Sequence, residues 1–98
     1  MKFRFRDKAL ERLYTDPGFR GEFPEEVVRR FRKRMMLISS AADERDFYQL
    51  KSLRFEKLKG RRKHQRSMRL NDRWRLIVEF EGSGEEKELI VVAIEDYH

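Results

Sequence analysis

The sequence predicts an α+β fold with an N-terminal strand, two helices and an antiparallel meander of about three strands, the helices packed on one face. Two patterns indicate this order. Apolar residues recur every three or four positions within residues 7–16 and 24–41, which is helical spacing. They alternate with polar residues within residues 2–6 and 65–80, which is strand spacing. A chain of 98 residues is long enough for one domain, so we predict a single domain over residues 1–98.

The first half supplies a strand and both helices. "KFRFR" (residues 2–6) alternates as a strand does, and Asp7 suits the N-cap of the helix that follows. Pro24 suits the first position of a second helix. That helix carries an apolar stripe of Val27, Phe31, Met35 and Ile38, which Val28 and Met36 widen. Residues 43–58 predict only a short helical turn and an irregular approach to a strand.

The second half predicts the meander. "QRSMRL" (65–70) alternates, and "NDR" (71–73) supplies a turn. In "WRLIVEF" (74–80), Trp74 heads the core face and Arg75 lies on the opposite face, because successive strand residues point to opposite sides. "ELIVVAI" (88–94) is apolar on both faces, so we expect an interior strand there.

Positive charge is concentrated in one block. Residues 51–75 hold eleven Lys and Arg against only Glu56 and Asp72, although the whole chain has a net charge of +6. Such a block attracts phosphate chains. The alternative is a solvated face, neutralised by the acidic residues after position 75 or by an acidic partner. The block alone favours polyanion binding only slightly.

Composition excludes several classes of site and location. The chain has no cysteine, so it has neither a disulfide framework nor a thiolate metal site. No apolar run approaches the roughly 18 residues of a membrane span, and the N-terminus lacks the apolar stretch of a signal peptide. We therefore expect a cytoplasmic protein without a membrane segment.

The chain ends in "DYH" (96–98), directly after the most apolar strand. RNA is cut without a metal when its 2′-OH attacks the adjacent phosphorus, which needs a proton acceptor, a proton donor and cations at the phosphate. His98 suits either proton role, Tyr97 suits stacking on an unpaired base, and Asp96 or Glu56 suits orienting a partner or accepting a proton. The sequence leaves open whether the basic turn at 57–66 reaches the chain end, since the meander starts and finishes at opposite ends of the sheet.

A set of motifs carries a family resemblance. "LKG" (58–60), the basic turn, "NDRWRLIVEF" (71–80), the terminal "EDYH" (95–98) and an opening "FRDKALERL" (5–13) resemble the HigB branch of the RelE/ParE toxin superfamily. The likeness covers nearly the whole chain and is most specific over 56–98. It implies a toxin of a type II toxin-antitoxin system, a small ribonuclease that enters the ribosomal A site and cuts mRNA without a cofactor or a metal.

The resemblance also assigns residues by position. Asp96, Tyr97 and His98 match the terminal catalytic residues, Lys59 matches the lysine that stabilises phosphate charge, and Arg75 matches the arginine that binds the scissile phosphate. Well-known HigB toxins have a histidine three residues before that lysine. Here the position is Glu56, and either it or His64 replaces the missing imidazole, although an exposed turn histidine is the simpler interpretation of His64. The expected RNA contacts are Lys57, Arg61, Arg62, Lys63, Arg66 and Arg73.

The resemblance implies partners as well. It implies action on the ribosome and mRNA, and a helix-turn-helix antitoxin encoded nearby. We expect the free toxin to be a monomer that forms a hetero-oligomer with this antitoxin. Two alternatives remain: a non-enzymatic ParE-like toxin that inhibits DNA gyrase, and a basic RNA- or ribosome-binding module.

Overall fold

The structure is a computed structural model that describes residues 1–97. The described chain is built around one mixed β-sheet. The strands are β1 (Phe3–Phe5), β2 (Glu56–Lys57), β3 (Gln65–Arg69), β4 (Trp74–Glu81) and β5 (Glu88–Asp96). They lie side by side in the order β1-β5-β4-β3-β2. The helices are α1 (Lys8–Thr15), α2 (Glu25–Ser40) and α3 (Arg45–Gln49), and single 3-10 turns occupy Lys51–Leu53, Gly60–Arg62 and Gly84–Glu86.

The α+β prediction is confirmed, with additions. Strands β3, β4 and β5 form the expected antiparallel meander. Strand β1 pairs in parallel with β5, placing Phe3 beside Leu89, so the sheet is mixed and β5 has a neighbour on each side. The two-residue β2 pairs with β3 and extends the sheet by one strand. Parallel pairing requires a long crossover, and α1, α2 and the following meander supply it.

The helices form where the sequence predicts them. Asp7 caps α1, its Oδ1 accepting hydrogen bonds from the backbone N–H groups of Ala9 (2.8 Å) and Leu10 (3.2 Å). The stripe of α2 is buried as expected, but Met36 is 69% exposed. The prediction for Met36 was wrong, because at ~100° per residue it lies roughly 140° around the helix from Phe31. Pro24 precedes the helix by one residue. Within residues 1–97, no helix has both the length and the apolar character needed to cross a bilayer.

The sheet has one face toward the helices and one away from them, here called the outer face. On β4, Leu76 and Val78 belong to the core shared with α1, α2 and α3. Trp74 packs against that core, as predicted, although it is only half-buried. Its ring lies edge-to-face with the ring of Phe23, with 5.9 Å between the ring centres. By strand alternation, Arg75 and Glu79 lie on the outer face.

A bulge in β5 determines which of its residues share the outer face. Ile77 pairs with Ala93 and Val78 pairs with Val91, so Val92 is an extra residue opposite β4. The alternation resumes beyond it, and Glu95 lies opposite Arg75 on the outer face.

Candidate active site

Arg75 is fixed in place on the outer face. Its Nη2 donates hydrogen bonds to Ser67 Oγ (2.8 Å), to the Ser67 carbonyl (3.3 Å) and to the Arg54 carbonyl. Its Nε is buried and has no acceptor within residues 1–97. A guanidinium has five N–H donors, so the neutral acceptors that orient Arg75 leave part of its donor set and all of its charge available.

The carbonyl that Arg54 offers to Arg75 depends on an uncommon backbone conformation. Arg54 has φ 45° and ψ 54°, the left-handed region that residues other than glycine adopt at a cost of about 1 kcal/mol. This conformation ends the 3-10 turn at Lys51–Leu53 just before β2. The strained residue therefore both redirects the chain and orients the arginine.

Burial and several nearby groups act on the charge of Arg75. Burial lowers the pKa of its guanidinium, while attraction to Glu56 and Tyr97 acts in the opposite direction. Glu56 lies on β2 opposite Ser67, hence on the same face. The Arg75 guanidinium carbon lies 5.9 Å from the centre of the Tyr97 ring. Among the described residues, Arg75 forms no direct ion pair, so its guanidinium can still pair with a bound anion.

The basic turn reaches the end of β5, which the sequence left open. Arg62 makes a two-bond ion pair with Glu95, with Nη2–Oε2 at 2.7 Å and Nη1–Oε1 at 3.0 Å. Its Nε donates to Gln65 Oε1 at 2.8 Å. Hydrogen bonding to Glu95 raises the pKa of Arg62, and Arg62 also interacts electrostatically with Tyr97. The turn therefore folds over the outer face toward Arg75 and Tyr97.

Glu79 anchors the other end of this arrangement. Its carboxylate, nearly buried, accepts hydrogen bonds from Arg6 Nη2 (2.7 Å), Arg6 Nη1 (3.0 Å) and Gln65 Nε2 (2.8 Å). His64 Nε2 lies 3.5 Å from the same carboxylate. Hydrogen bonds from Arg6 lower the pKa of Glu79 despite the opposing effect of burial. A continuous polar chain thus runs from Arg6 through Glu79, Gln65 and Arg62 to Glu95.

The remaining predicted residues divide into three groups. Lys59, Arg61 and Lys63 are exposed on the turn and form no ion pair within residues 1–97. Lys57 and Arg66 are register partners, so alternation puts them on the face opposite Glu56, and Arg66 Nη1 folds back to the carbonyls of Lys63 and Gln65. Arg73 makes a two-bond ion pair with Asp96 at 2.7 and 2.8 Å. His98 lies outside the described residues.

A family model described as "RelE-like toxin of type II toxin-antitoxin system HigB" matches residues 3–98. The chain belongs to this family of HigB-like toxins. No curated protein matches it. Among solved structures, the YoeB/ParE toxin from Agrobacterium tumefaciens is similar over 100% of both chains, with a TM-score of 0.58 and 22% sequence identity. At that identity the likeness supports the RelE-like fold alone.

The HigB-like toxin is therefore a type II toxin with an antitoxin partner, and its outer face is the candidate active site. That face brings together Glu56, Arg75 and Tyr97, with the turn above them. By strand alternation, Asp96 lies with Trp74 on the helix side of the sheet, where it pairs with Arg73. A carboxylate, a phenol and an unneutralised guanidinium together suit proton transfer next to a bound anion. No group of three potential metal ligands was found within residues 1–97.

Sequence reasoning missed the residues that support this site. Gln65, Glu79 and Glu95 position the turn, and the backbone of Arg54 positions Arg75. Only Glu79 had a signal, since its place two alternations after Arg75 predicts the same outer face. Nothing in the local sequence marks Gln65 or Glu95 as partners of Arg62, because they depend on how the turn folds.

Replacing Glu79 with glutamine tests the anchor in the toxin. We expect a free energy of unfolding about 1–2 kcal/mol lower at pH 7, because Arg6 loses a charged hydrogen-bond acceptor. The folded-state pKa of Glu79 lies below its unfolded value, so the carboxylate stabilises the fold at neutral pH and this contribution is lost as the pH falls through the folded-state pKa. The difference between the two proteins should therefore shrink toward pH ~3. Urea unfolding followed by circular dichroism measures it.

The matched control is Glu81→Gln on the same strand and face. Glu81 pairs with Arg4, and both side chains are about half exposed, at 54% and 49%. An exposed ion pair contributes little, so we expect a change below about 0.5 kcal/mol at either pH. Equal losses in the two variants would show that Glu79 is not a special anchor.

Proposed function

We propose that residues 1–98 form one toxin domain that acts as a ribosome-dependent endoribonuclease, cleaving mRNA in the A site. The observation that carries the proposal is Arg75, a guanidinium held by neutral acceptors beside Glu56 and Tyr97. Because these acceptors are neutral, the guanidinium of Arg75 keeps the charge with which arginine pairs with a phosphate. Membership of the HigB-like family supports the same assignment.

The proposed reaction is attack of the RNA 2′-OH on the adjacent phosphorus, without a metal or another cofactor. Arg75 binds the scissile phosphate, and Lys59 adds positive charge as the phosphate oxygens become crowded. The phosphorus–oxygen bond to the 2′ oxygen forms, and the bond to the 5′ oxygen of the next nucleotide breaks. One group removes the 2′ proton and another supplies a proton to the departing oxygen.

The proton carriers in this scheme are Glu56 and His98. Glu56 is exposed on the same face as Arg75, where a carboxylate can accept a proton from a bound nucleotide. His98 is assigned the second proton role because it matches the catalytic histidine of the HigB-like motif and because histidine titrates near neutral pH. Tyr97 stacks on an unpaired base beside the phosphate, while Asp96 orients the chain end through Arg73.

The exposed cations of the turn are proposed to hold the RNA backbone. Arg61 and Lys63 project from the turn without ion pairs among the described residues, so their charges are available to phosphates. Arg62 is proposed to contribute at the edge of the site, next to Tyr97. Three further cations are proposed to contact RNA at the edge of the site. Lys57 and Arg66 lie on the sheet face opposite Glu56, and Arg73 lies beside Asp96.

The proposed partners follow from the proposed reaction. The ribosome and mRNA are the targets, and the antitoxin is proposed to be a helix-turn-helix protein encoded nearby. The free toxin is proposed to be a monomer in the cytoplasm, which assembles into a hetero-oligomer when the antitoxin binds. An acidic antitoxin surface would complement the basic turn and speed association.

The test is to incubate the purified toxin with programmed ribosomes, and with the same mRNA free of ribosomes, and to map the breaks. We expect cuts in phase with the codon in the A site and an intact free mRNA. Intact mRNA in both samples, from protein that still arrests growth, would contradict the nuclease proposal. A gyrase supercoiling assay on the same sample would then test the ParE-like alternative.

A further inference from the structure

A second arginine cluster lies outside the candidate active site. A cavity of about 290 Å³ opens between helix α2 and the turn that joins β3 to β4. Arg30 and Arg34 reach it from the helix, and Arg69 reaches it from the end of β3. Ser52 and Asn71 add neutral polar groups, and Glu26 and Asp72 add carboxylates. Three arginines from two separate elements therefore line one polar cavity, and the charges of Arg30 and Arg69 both act on Arg34.

Within residues 1–97, two of the three arginines have carboxylate partners, and Arg34 has none. Arg69 pairs with Asp72, whose side chain is 94% exposed, and Arg30 lies 3.8 Å from Glu26. Arg34 donates from Nη2 to the Arg69 carbonyl, and its Nε is buried with no acceptor in residues 1–97. Because exposed ion pairs are weak, an entering anion would compete readily for Arg30 and Arg69.

The electrostatics of Arg34 agree with an anion-binding role. Burial lowers the pKa of its guanidinium, and the positive charges of Arg30 and Arg69 lower it further. Three like charges this close repel one another. A bound anion would turn that repulsion into attraction and would give the partly buried guanidinium of Arg34 a charged acceptor.

The cavity adjoins the candidate active site through Arg69. Arg69 and Arg75 are register partners on β3 and β4, and the charge of Arg69 also lowers the pKa of Arg75. A path of guanidinium groups therefore leads from Arg75 through Arg69 to Arg34. A chain with regularly spaced phosphates can follow such a path.

We propose that the cavity between α2 and the β3–β4 turn binds a backbone phosphate of single-stranded RNA, different from the phosphate at Arg75. The proposal rests on the proposed function, because it assigns a second contact to the same RNA strand. An acidic protein segment offers carboxylates of similar charge. The continuity with Arg75 favours RNA, since one strand would then occupy both positions.

The first experiment titrates the whole toxin with inorganic phosphate and follows the arginine Nε–Hε signals by NMR. The control is sodium chloride at matched ionic strength. We expect the Arg34 signal to shift in a saturable way with phosphate and not with chloride. Equal shifts with both salts would overturn the proposal, since they would indicate only ionic strength.

The second experiment measures binding of a 2′-O-methyl oligoribonucleotide, which lacks the attacking hydroxyl and stays intact. We expect Arg34→Gln to bind the oligonucleotide roughly five- to tenfold more weakly. The slope of log affinity against log salt concentration should become shallower by about one, as for the loss of one phosphate contact. The Arg30 side chain is half exposed, so Arg30→Gln is the second variant in case Arg34→Gln fails to fold. We expect Arg30→Gln to weaken oligonucleotide binding as well. Arg20→Gln removes the same charge beside Glu25, away from the cavity, and should change binding less than about twofold.

The outcomes separate this proposal from the nuclease. If programmed ribosomes show no cleavage but Arg34→Gln still weakens oligonucleotide binding, the phosphate site stands and the nuclease fails. If cleavage occurs and Arg34→Gln and Arg30→Gln bind as Arg20→Gln does, the phosphate site fails alone. A shift of the Arg34 signal with a poly-glutamate peptide but not with the oligonucleotide would overturn the RNA assignment in favour of an acidic protein partner.

Discussion

Replacing Arg75 with glutamine is expected to slow mRNA cleavage on programmed ribosomes by roughly 10³-fold. Glutamine can still donate hydrogen bonds toward Ser67, but it carries no charge for the crowded phosphate oxygens. Arg75→Lys should lose less, about 10²-fold, because lysine keeps a positive charge without the planar pair of donors. The graded loss from lysine to glutamine would separate the contribution of geometry from that of charge.

Single-turnover cleavage with saturating ribosomes measures this effect, and ribosome pelleting measures binding separately. Thermal unfolding must remain near that of the wild type, since Arg75 also bonds to the backbone of Arg54 and Ser67. Arg45→Gln is the matched control, because Arg45 pairs with Asp43 and its side chain is 84% exposed. Cleavage by Arg75→Gln within a few-fold of the wild type would exclude Arg75 from phosphate binding in the transition state.

The second large effect is expected from the chain end. His98→Ala should lower the cleavage rate by roughly 10²- to 10⁴-fold, the usual contribution of a general acid or base. Histidine changes its charge between about pH 5 and 8, so the pH dependence of cleavage in that range should flatten in the variant. The chain's other histidine, His64, provides the matched control.

His64 lies next to Glu79 on the basic turn, with 60% of its side chain exposed. We expect His64→Ala to cleave within about threefold of the wild type and to retain the same pH profile, because an exposed surface substitution usually has little effect. The reverse pattern would be activity lost in His64→Ala and kept in His98→Ala. It would show that His64 takes the role of the family histidine whose position holds Glu56 in this chain.

Local patterns predicted most of the secondary structure. The spacing of Val27, Phe31, Met35 and Ile38 located α2, and the alternation after Trp74 located β4. The parallel pairing of Phe3–Phe5 with β5 was not predictable in this way, because it joins residues more than eighty positions apart. The exposed side chain of Met36 shows a second limit of prediction from hydrophobic spacing. An apolar residue can lie on the solvent side of an amphipathic helix at little energetic cost.

The arrangement of the candidate site was only partly predictable from the sequence. The alternation of β4 placed Arg75 on the face opposite Trp74, and the resemblance assigned it a phosphate-binding role that stays a prediction. The reach of the turn depends on Arg62 meeting Glu95, thirty-three residues later, through a 3-10 turn that has no sequence signature. The left-handed conformation of Arg54 was also hidden, because arginine gives no sign of it as glycine would.

The extra residue Val92 determines which chemical group the end of β5 presents on the outer face. In a regular strand, counting outward from Val91, Asp96 would share the face of Arg75 and Tyr97 would turn toward the helices. With the extra residue, the phenol lies beside the arginine and the carboxylate does not. The bulge therefore determines on which side of the sheet Asp96 and Tyr97 lie. Two toxins with the same residues at these positions, but one residue more or less in this strand, would place opposite groups on the outer face.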